Sequence, residues 1–355
     1  MTIFITGICG FVGSSLARLW LESDPSISII GVDNLIRNGS QTNREALKKL
    51  GVRVFHGDIR MASDFEALPA PDLLIDAAAN PSVLAGLDGR SSSRQVVEHN
   101  LLGTVNMLEF CKATKAGFVL LSTSRVYSIP PLAACPVESI NGAFVPTAAG
   151  NLPPGLSPRG VTEEFTTAAP VSLYGSTKLA SESLALEYGD AFGFPVWINR
   201  CGVLAGAGQF GHAEQGIFSF WLHSWRAKRP LKYFGFGGHG HQVRDAFHPR
   251  DLLDAIRKQL ATSRSPVHRI FNLAGGSDNA MSLANLSRWC ESRWGKHTVA
   301  AQAEGRQYDI PWLVLDSARI REALNWRPAV SLEKILEEIA LFAEQNPGWL
   351  DLSSV

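Results

Sequence analysis

The 355-residue chain has no long run of one charge, and its 33 Lys and Arg balance 33 Asp and Glu for a formal net charge of zero. That balance argues against a nucleic-acid partner and against an electrostatic membrane anchor. No CxxC pair occurs. The five cysteines, Cys9, Cys111, Cys135, Cys201 and Cys290, are odd in number and widely spread, which fits reduced thiols and excludes a disulfide frame or a zinc site built on cysteine. His239 and His241 stand two apart with no third ligand suitably spaced, so no metal is expected. No stretch approaches the roughly 18 uninterrupted apolar residues of a membrane helix. The amino terminus lacks the basic start and small-residue cleavage site of a secretory signal. Internal repeats and low-complexity segments are also lacking. What remains, 45% hydrophobic and 19% charged, is the composition of a soluble globular protein, expected in the cytoplasm and long enough for one large core or two smaller ones.

The first chemical signal is the opening unit. Residues 2 to 6 read as a short buried strand, followed at once by Gly7-Ile8-Cys9-Gly10-Phe11-Val12-Gly13 and a helix through Leu16, Leu19 and Trp20. Glycines between a strand and a helix let the backbone approach a pyrophosphate, whose charge sits at the helix amino terminus; the bland alternative is a simple turn. A second strand, Ile27 to Val32, ends in Asp33, about 20 residues beyond the last glycine. A carboxylate there accepts hydrogen bonds from ribose hydroxyls and repels a 2′-phosphate, favouring NAD over NADP. Arg37 is the nearby residue that could receive such a phosphate instead.

Further strands are expected at Val52 to Phe55, Leu73 to Ile75, Phe118 to Leu121 and Pro195 to Asn199. Helices alternate with them, one running from about Ser92 to Cys111 with Val97, Leu101, Val105 and Leu108 on its apolar side. Such alternation predicts an α/β fold, a doubly wound parallel sheet covered on both faces. Asp58-Ile59 then falls just past the third strand, where adenine would lie. Ala77-Ala78-Ala79 falls past the fourth, where small side chains would let the cofactor approach. For both, a loop acid and core packing serve equally well on sequence alone. Ser122-Thr123 follows the strand ending at Leu121, at the carboxyl edge where ligand crevices form.

Tyr174 and Lys178 stand four apart ahead of a helical run, and on a helix they share one face. A free phenol titrates near 10, and a positive charge beside it favours the phenolate, so the pair can serve as a base. It can equally be a surface pair. The stretch Ser128 to Ser172, rich in proline and glycine, reads as a lid or interface segment with little regular structure. Further helices are expected around Ile217 to Ala227, Asp251 to Leu260, Leu283 to Arg293, Ser317 to Leu324 and Leu332 to Phe342. The division expected is residues 1–200, carrying the 128–172 insertion and rejoined by 236–262, against a smaller mixed α/β domain of 201–235 and 263–355.

Taken together, Gly7-x-x-Gly10-x-x-Gly13, Asp33-Asn34-Leu35, Asp58, Asn100-x-x-Gly103-Thr104, Ser122-Thr123, Tyr174-x-x-x-Lys178, Arg244-Asp245 and Trp326-x-Pro328 resemble the extended short-chain dehydrogenase/reductases that modify nucleotide sugars. The likeness spans essentially the whole chain. Within that family, residues 33–39, 56–60, the long insertion ending at 160–164, and 242–245 are most similar to epimerases acting at C2 of a CDP-hexose. The resemblance implies a Rossmann fold, bound NAD, a nucleotide-diphosphate sugar as substrate and a homodimer or homotetramer. It assigns catalysis to Thr123, Tyr174 and Lys178. Cofactor contacts fall to Gly7, Gly10, Phe11, Val12, Gly13, Asp33, Asn34, Arg37, Asp58, Ile59, Ala77, Ala78, Ala79, Asn100 and Ser122, together with Tyr174 and Lys178. Arg244 and Arg306 are the expected diphosphate clamp, and Gln209 and Gln215 the expected sugar or phosphate contacts. Dehydratases of the family follow the threonine with an Asp-Glu pair, and its decarboxylases keep a glutamate; here Ser124-Arg125 follows. The alternatives are a 4-epimerase of UDP-hexoses, a dehydratase or decarboxylase, and, from another class, a regulatory protein that binds NAD without catalysis.

Overall fold

Short apolar strands alternating with helices build, in the computed structural model, a seven-stranded sheet among the described residues, which are 1–87, 89, 92–147, 152–212, 215–262 and 267–353. Across the sheet the strands run Ile270–Leu273, Val196–Cys201, Gly117–Thr123, Leu73–Asp76, Thr2–Thr6, Ser28–Asp33 and Arg53–His56. The chain first walks outward from Thr2–Thr6 to Arg53–His56, then returns to the other side of Thr2–Thr6 at Leu73–Asp76. The strand order therefore reverses beside the glycine turn, and ligands bind outside the carboxyl ends of strands at such a point. Parallel registers such as Phe4↔Ile30, Phe4↔Leu74 and Leu74↔Phe118 align the strand ends. Phe4, Ile30, Val32, Leu74, Phe118, Leu120 and Ile198 are buried in one cluster with Met107, Leu108 and Cys111. Burial on both faces explains why these strands read as continuous apolar runs. The edge strand Ile270–Leu273 has no counterpart in the sequence reading, because four residues carry too little periodicity to stand out.

The helix expected from Ser92 to Cys111 is broken into Ser93–Val97 and Gly103–Thr114 by a π-turn at Glu98–Leu102. Each wider turn rotates the following residues around the axis. The buried face becomes Val96, Asn100, Gly103, Thr104, Met107, Leu108 and Cys111, while Val97, expected inside, is 42% exposed. The displaced register turns the polar Asn100 inward.

By its internal packing the chain divides into one unit of Met1–Val126, Leu173–Arg200 and Leu252–Phe271, and another of Tyr127–Ser172, Cys201–Asp251 and Asn272–Val355, with comparable shares of the chain. Residues 127–172 thus group with the second unit, and of the returning segment only Leu252 onward joins the first. The stretch 128–172 also holds regular structure: the helix Ile129–Ala133, the hairpin Val137–Ile140 with Ala143–Pro146, and the short pair Leu156–Ser157 with Gly160–Val161. Val161 N donates to Val314 O (2.8 Å) and Asp316 N to Val161 O (2.9 Å). The buried Asn272 accepts from the Tyr127 hydroxyl (2.6 Å), donates to Val161 O (2.8 Å), and its backbone N–H reaches Glu163 Oε1 (2.7 Å). These bonds build the segment into the second unit, and its regular structure departs from what the loop-like composition suggests.

In the second unit Val243–Phe247 pairs with Val203–Leu204, Ala280–Ser282 and Trp312–Leu313 in a mixed sheet. Helices Ile217–Arg226, Leu283–Trp294 and Leu332–Gln345 bury Phe218, Trp221, Trp225, Leu286, Cys290, Ile335 and Ile339 together. Trp326 Nε1 donates to Asp251 O (3.0 Å), and the Asp251 carboxylate accepts from Ala329 N (2.9 Å) and Val330 N (3.2 Å), so the Trp326-x-Pro328 motif is a packing anchor. All five cysteines are buried and free, and burial pushes the Cys9 thiol up to about 12. No helix among the described residues is long and apolar enough to cross a membrane.

His223 is buried in the Ile217–Arg226 helix with its Nε2 lacking a hydrogen-bond partner. Burial, followed by the nearby Arg226 and Arg229 charges, pushes its pKa down to about 4. The unfolded chain therefore binds this proton more readily than the folded one between about pH 6.5 and 4. Stability from this group is present above pH 6.5 and lost as pH falls through 4, by up to about 3 kcal/mol. Denaturant unfolding at pH 7, 5.5 and 4 is expected to show a shallower acid loss for His223→Phe than for the wild type; parallel losses would show that His223 is not the titrating group.

Candidate active site

The glycine turn is shaped by contacts that exclude side chains. Gly7 has φ +61°, and a Cβ on it would lie 2.9 Å from Ala78 Cα; one on Gly13 would lie 2.5 Å from Gly7 O. The first requirement joins the two strand exits at the reversal point, and the second seats the helix Phe11–Ser23 on the turn. Thr6 completes the arrangement: its hydroxyl donates to Asp76 Oδ1 (2.8 Å) and accepts from Ala77 N and Ala78 N (3.0 Å each). Ala77 and Ala78 are thus tied to the first strand, with Ala78 against Gly7. The helix starts at Gly10 with no side-chain cap and no acidic residue in its first turn, leaving its amino-terminal N–H groups and positive dipole end for an anion.

Asp33 caps the same turn. Its Oδ2 accepts from Cys9 N (2.8 Å) and its Oδ1 from Leu35 N (2.8 Å). Burial raises its pKa most, while the backbone N–H groups of Leu35, Cys9 and Gly10 pull it back. These bonds leave the carboxylate acceptor capacity for ribose hydroxyls. Asn43 holds the turn from the other side, Nδ2 to Cys9 O (3.0 Å), and is itself gripped by Arg18 (2.6 Å). The Asn43 role lay outside the sequence reading, since a polar residue within a helix carries no local signal of that contact. The cradle, the open helix end and the spare acceptors of Asp33 fit a dinucleotide. Arg37 lies in the loop before the helix Ser40–Lys49, its O accepting from Ser40 N (3.0 Å).

Asp58, expected at adenine, takes four hydrogen bonds from protein groups: Asn34 Nδ2 (2.9 Å), Arg60 N (3.0 Å), Arg60 Nε (2.9 Å) and Arg60 Nη2 (2.7 Å). Burial pushes its pKa up, but the Arg60 and Asn34 bonds win and hold it well below the usual carboxylate range. Four partners fill a carboxylate, so any base reaching Asp58 competes with Arg60 or Asn34. Ile59 packs against Gly103, where an added Cβ would meet its side chain, and its carbonyl accepts from Asn106 Nδ2 (2.8 Å).

At the carboxyl edge of the sheet, Thr123 closes the strand Gly117–Thr123, and Tyr174 and Lys178 lie in the helix Ser172–Phe192. All three are buried. Thr123 Oγ1 accepts from Arg125 N (3.1 Å), and its hydroxyl keeps a proton to donate. Asn100, turned inward by the π-turn, accepts from Asn80 N (2.7 Å), donates to Asn80 O (3.0 Å) and reaches Thr177 Oγ1 (3.2 Å), while its carbonyl accepts from Ser181 Oγ (3.2 Å). Ser122, expected at the cofactor, spends its hydroxyl on Glu182 Oε1 (2.5 Å). Its side chain thus points into a buried network with Arg200 rather than into an open crevice. Neither Glu182 nor Arg200 was legible as a site residue, because a glutamate on a helix and an arginine ending a strand read as surface groups.

The expected substrate residues all fall in the second unit. Arg244 donates to Val243 O (2.7 Å) and Ile310 O (2.8 Å) and lies 3.7 Å from Asp309; burial lowers its pKa, against the Asp309 and Asp245 charges. The Arg306 guanidinium stacks 3.9 Å over the Phe234 ring. Gln242 links the two neighbourhoods, Nε2 to Phe234 O (2.5 Å) and to Asp309 Oδ2 (3.2 Å). Gln209 is buried with Nε2 on Leu204 O (2.7 Å). Gln215 exchanges backbone hydrogen bonds with His212 (2.7 and 3.0 Å). His241 Nδ1 pairs with Ser139 Oγ (2.8 Å), and no cluster of three or more metal-ligating side chains occurs among the described residues.

A family model, NAD dependent epimerase/dehydratase, matches residues 3–274. The chain is 28% identical over 344 residues to the CDP-paratose 2-epimerase of Salmonella typhi, covering 93% of this chain and 96% of that protein. It is 26% identical over 356 residues to the UDP-glucuronate 4-epimerase of Thermodesulfobacterium geofontis, covering 96% of each. Among solved structures, UDP-glucuronic acid 4-epimerase from Bacillus cereus, in complex with UDP-glucuronic acid and NAD, has a TM-score of 0.76 at 23% identity over 97% of this chain and 99% of that one. A double mutant of DesIV, a dTDP-glucose 4,6-dehydratase from Streptomyces venezuelae, has a TM-score of 0.79 at 24% identity over 100% of both chains. The structural likenesses show the shared fold, and the family match runs from the first strand through the glycine turn and the Tyr174–Lys178 helix to the edge strand of the sheet. The chain belongs to the NAD dependent epimerase/dehydratase family.

Proposed function

We propose that this protein is an NAD-dependent nucleotide-sugar epimerase that inverts C2 of a CDP-hexose through a transient 2-keto sugar. The observation that carries the choice of epimerisation over elimination is the turn Ser124–Val126 directly after Thr123. Loss of water beside a ketone needs an acid at that place, and this turn offers a hydroxyl and a guanidinium without a carboxylate. Oxidation followed by return of the hydride to the opposite face needs neither. Similarity to CDP-paratose 2-epimerase over 93% of the chain supports the carbon and the base.

In this reading the glycine turn with Phe11 and Val12 receives the pyrophosphate, Asp33 and Asn34 the adenosine ribose, and the Ala77–Ala79 exit leaves room beside it. NAD, when bound, accepts a hydride from the sugar and gives it back. Tyr174 takes the proton of the sugar hydroxyl and later returns it, and the Lys178 charge one helical turn away favours the phenolate that does so. Thr123, whose oxygen accepts from Arg125 N, donates its hydroxyl proton to the same sugar oxygen. Arg244 and Arg306 bind the diphosphate through charge-assisted hydrogen bonds.

Tyr174→Phe is expected to lower turnover by about 100-fold or more with bound NAD retained, measured by product formation and by cofactor released on denaturation; undiminished turnover would remove the phenol from the reaction. Incubation of CDP- and UDP-hexoses in deuterium oxide, read by product NMR, is expected to show a CDP-sugar inverted at C2 with its original hydrogen kept. Solvent deuterium at C2 would instead indicate enolisation next to a ketone, and inversion of a UDP-sugar at C4 would move the assignment to the 4-epimerases.

A further inference from the structure

Next to the Tyr174–Lys178 pair lies a buried polar assembly that this reaction scheme does not use. Glu182, one helical turn after Lys178, receives the Ser122 hydroxyl at Oε1 (2.5 Å). Arg200 Nε lies 3.1 Å from Oε1 and 3.2 Å from Oε2, and Arg200 Nη2 lies 2.7 Å from Oε2. All three residues are buried. A buried ion pair contributes little net stability, because desolvation offsets most of the attraction. The elements that carry it already meet through Phe118, Leu120, Ala185, Val196 and Ile198 in the apolar core. Adhesion is therefore not what the assembly adds. Apolar contact is non-directional, whereas a forked guanidinium on a carboxylate and a hydroxyl hydrogen bond fix rotation as well as distance.

The placement shows what is being fixed. Ser122 immediately precedes Thr123, Glu182 follows Lys178 by one turn and Tyr174 by two, and Arg200 lies near the end of the neighbouring strand. Asn100 grips the same helix at Thr177 and Ser181. Polar pins thus bracket Lys178 along the helix. We propose that Glu182, clamped by Arg200 and Ser122, is a positioning residue that sets the Thr123 hydroxyl against the Tyr174 phenol and Lys178 without touching sugar or cofactor. The proposal rests on the reading that these three residues perform the chemistry.

Three variants of the NAD-loaded protein test it: Ser122→Ala, Arg200→Lys, which keeps the charge but loses the fork, and Ser122→Thr, which keeps the hydroxyl. A misplacement of about 1 Å costs about 100-fold, so the first two are expected to lower kcat by about 10- to 100-fold. KM, NAD content and melting temperature stay near wild type, and Ser122→Thr retains most of the turnover. A kcat equal to wild type in Arg200→Lys, or losses of kcat that track losses of NAD or of folding, would overturn the proposal. A second readout needs no substrate. With tyrosine labelled at ring carbon Cζ, the NMR signal that vanishes in Tyr174→Phe is expected to shift in Ser122→Ala and Arg200→Lys while the other tyrosine signals stay put. An unmoved Tyr174 signal overturns the positioning role even if the sugar assignment is correct, and a moved one upholds it even if that assignment fails.

Discussion

The rotation of one helix, Ser172–Phe192, about its own axis decides whether the candidate active site exists. Tyr174 and Lys178 keep their buried places only while that rotation is held, and apolar contact, being non-directional, does not fix it. The chain holds it with buried polar contacts: Asn100 at Thr177 and Ser181, and Ser122 with Arg200 at Glu182. Buried polar groups are costly unless satisfied, so such a network tolerates few alternative arrangements. The π-turn at Glu98–Leu102 belongs to the same constraint, because it brings Asn100 inward.

A second constraint acts at the reversal of strand order. Thr6 ties the exit of the fourth strand to the first, and Gly7 then has to be glycine because Ala78 occupies the space of its Cβ. Asp33 and Asn43 grip the backbone of Cys9 from opposite sides, N–H and carbonyl. The turn is thus already shaped before any pyrophosphate reaches it, and the carboxylate that does the shaping keeps acceptor capacity for a ribose. Preorganisation of this kind lowers the ordering cost of binding.

The second unit shows a comparable economy in its polar groups. Asn272 joins Tyr127, Val161 and Glu163, and Asp251 joins Trp326 to the backbone of Ala329 and Val330. Residues 160–164 thus serve the packing of the unit that carries Arg244 and Arg306. Arg244 is held by backbone carbonyls and Arg306 by the Phe234 face, so both guanidinium groups have defined places.

The amino-acid sequence by itself determined the parallel sheet, the glycine turn, Asp33, and the Tyr174–Lys178 spacing, because each rests on local chemistry: strand periodicity, glycine φ, and the pitch of a helix. It was silent where the cause lies far along the chain. Loop-like composition concealed the structure of 128–172, whose partners Asn272, Val314 and Asp316 are more than a hundred residues away. The helical register failed at Val97, because nothing in the local pattern announces a π-turn. Ser122 reads as a strand-end hydroxyl beside a ligand crevice, and the partner that sets its direction, Glu182, lies sixty residues on. Only the tertiary structure could decide these, since the direction of a buried polar side chain is set by the group that satisfies it, and that group can come from anywhere in the chain.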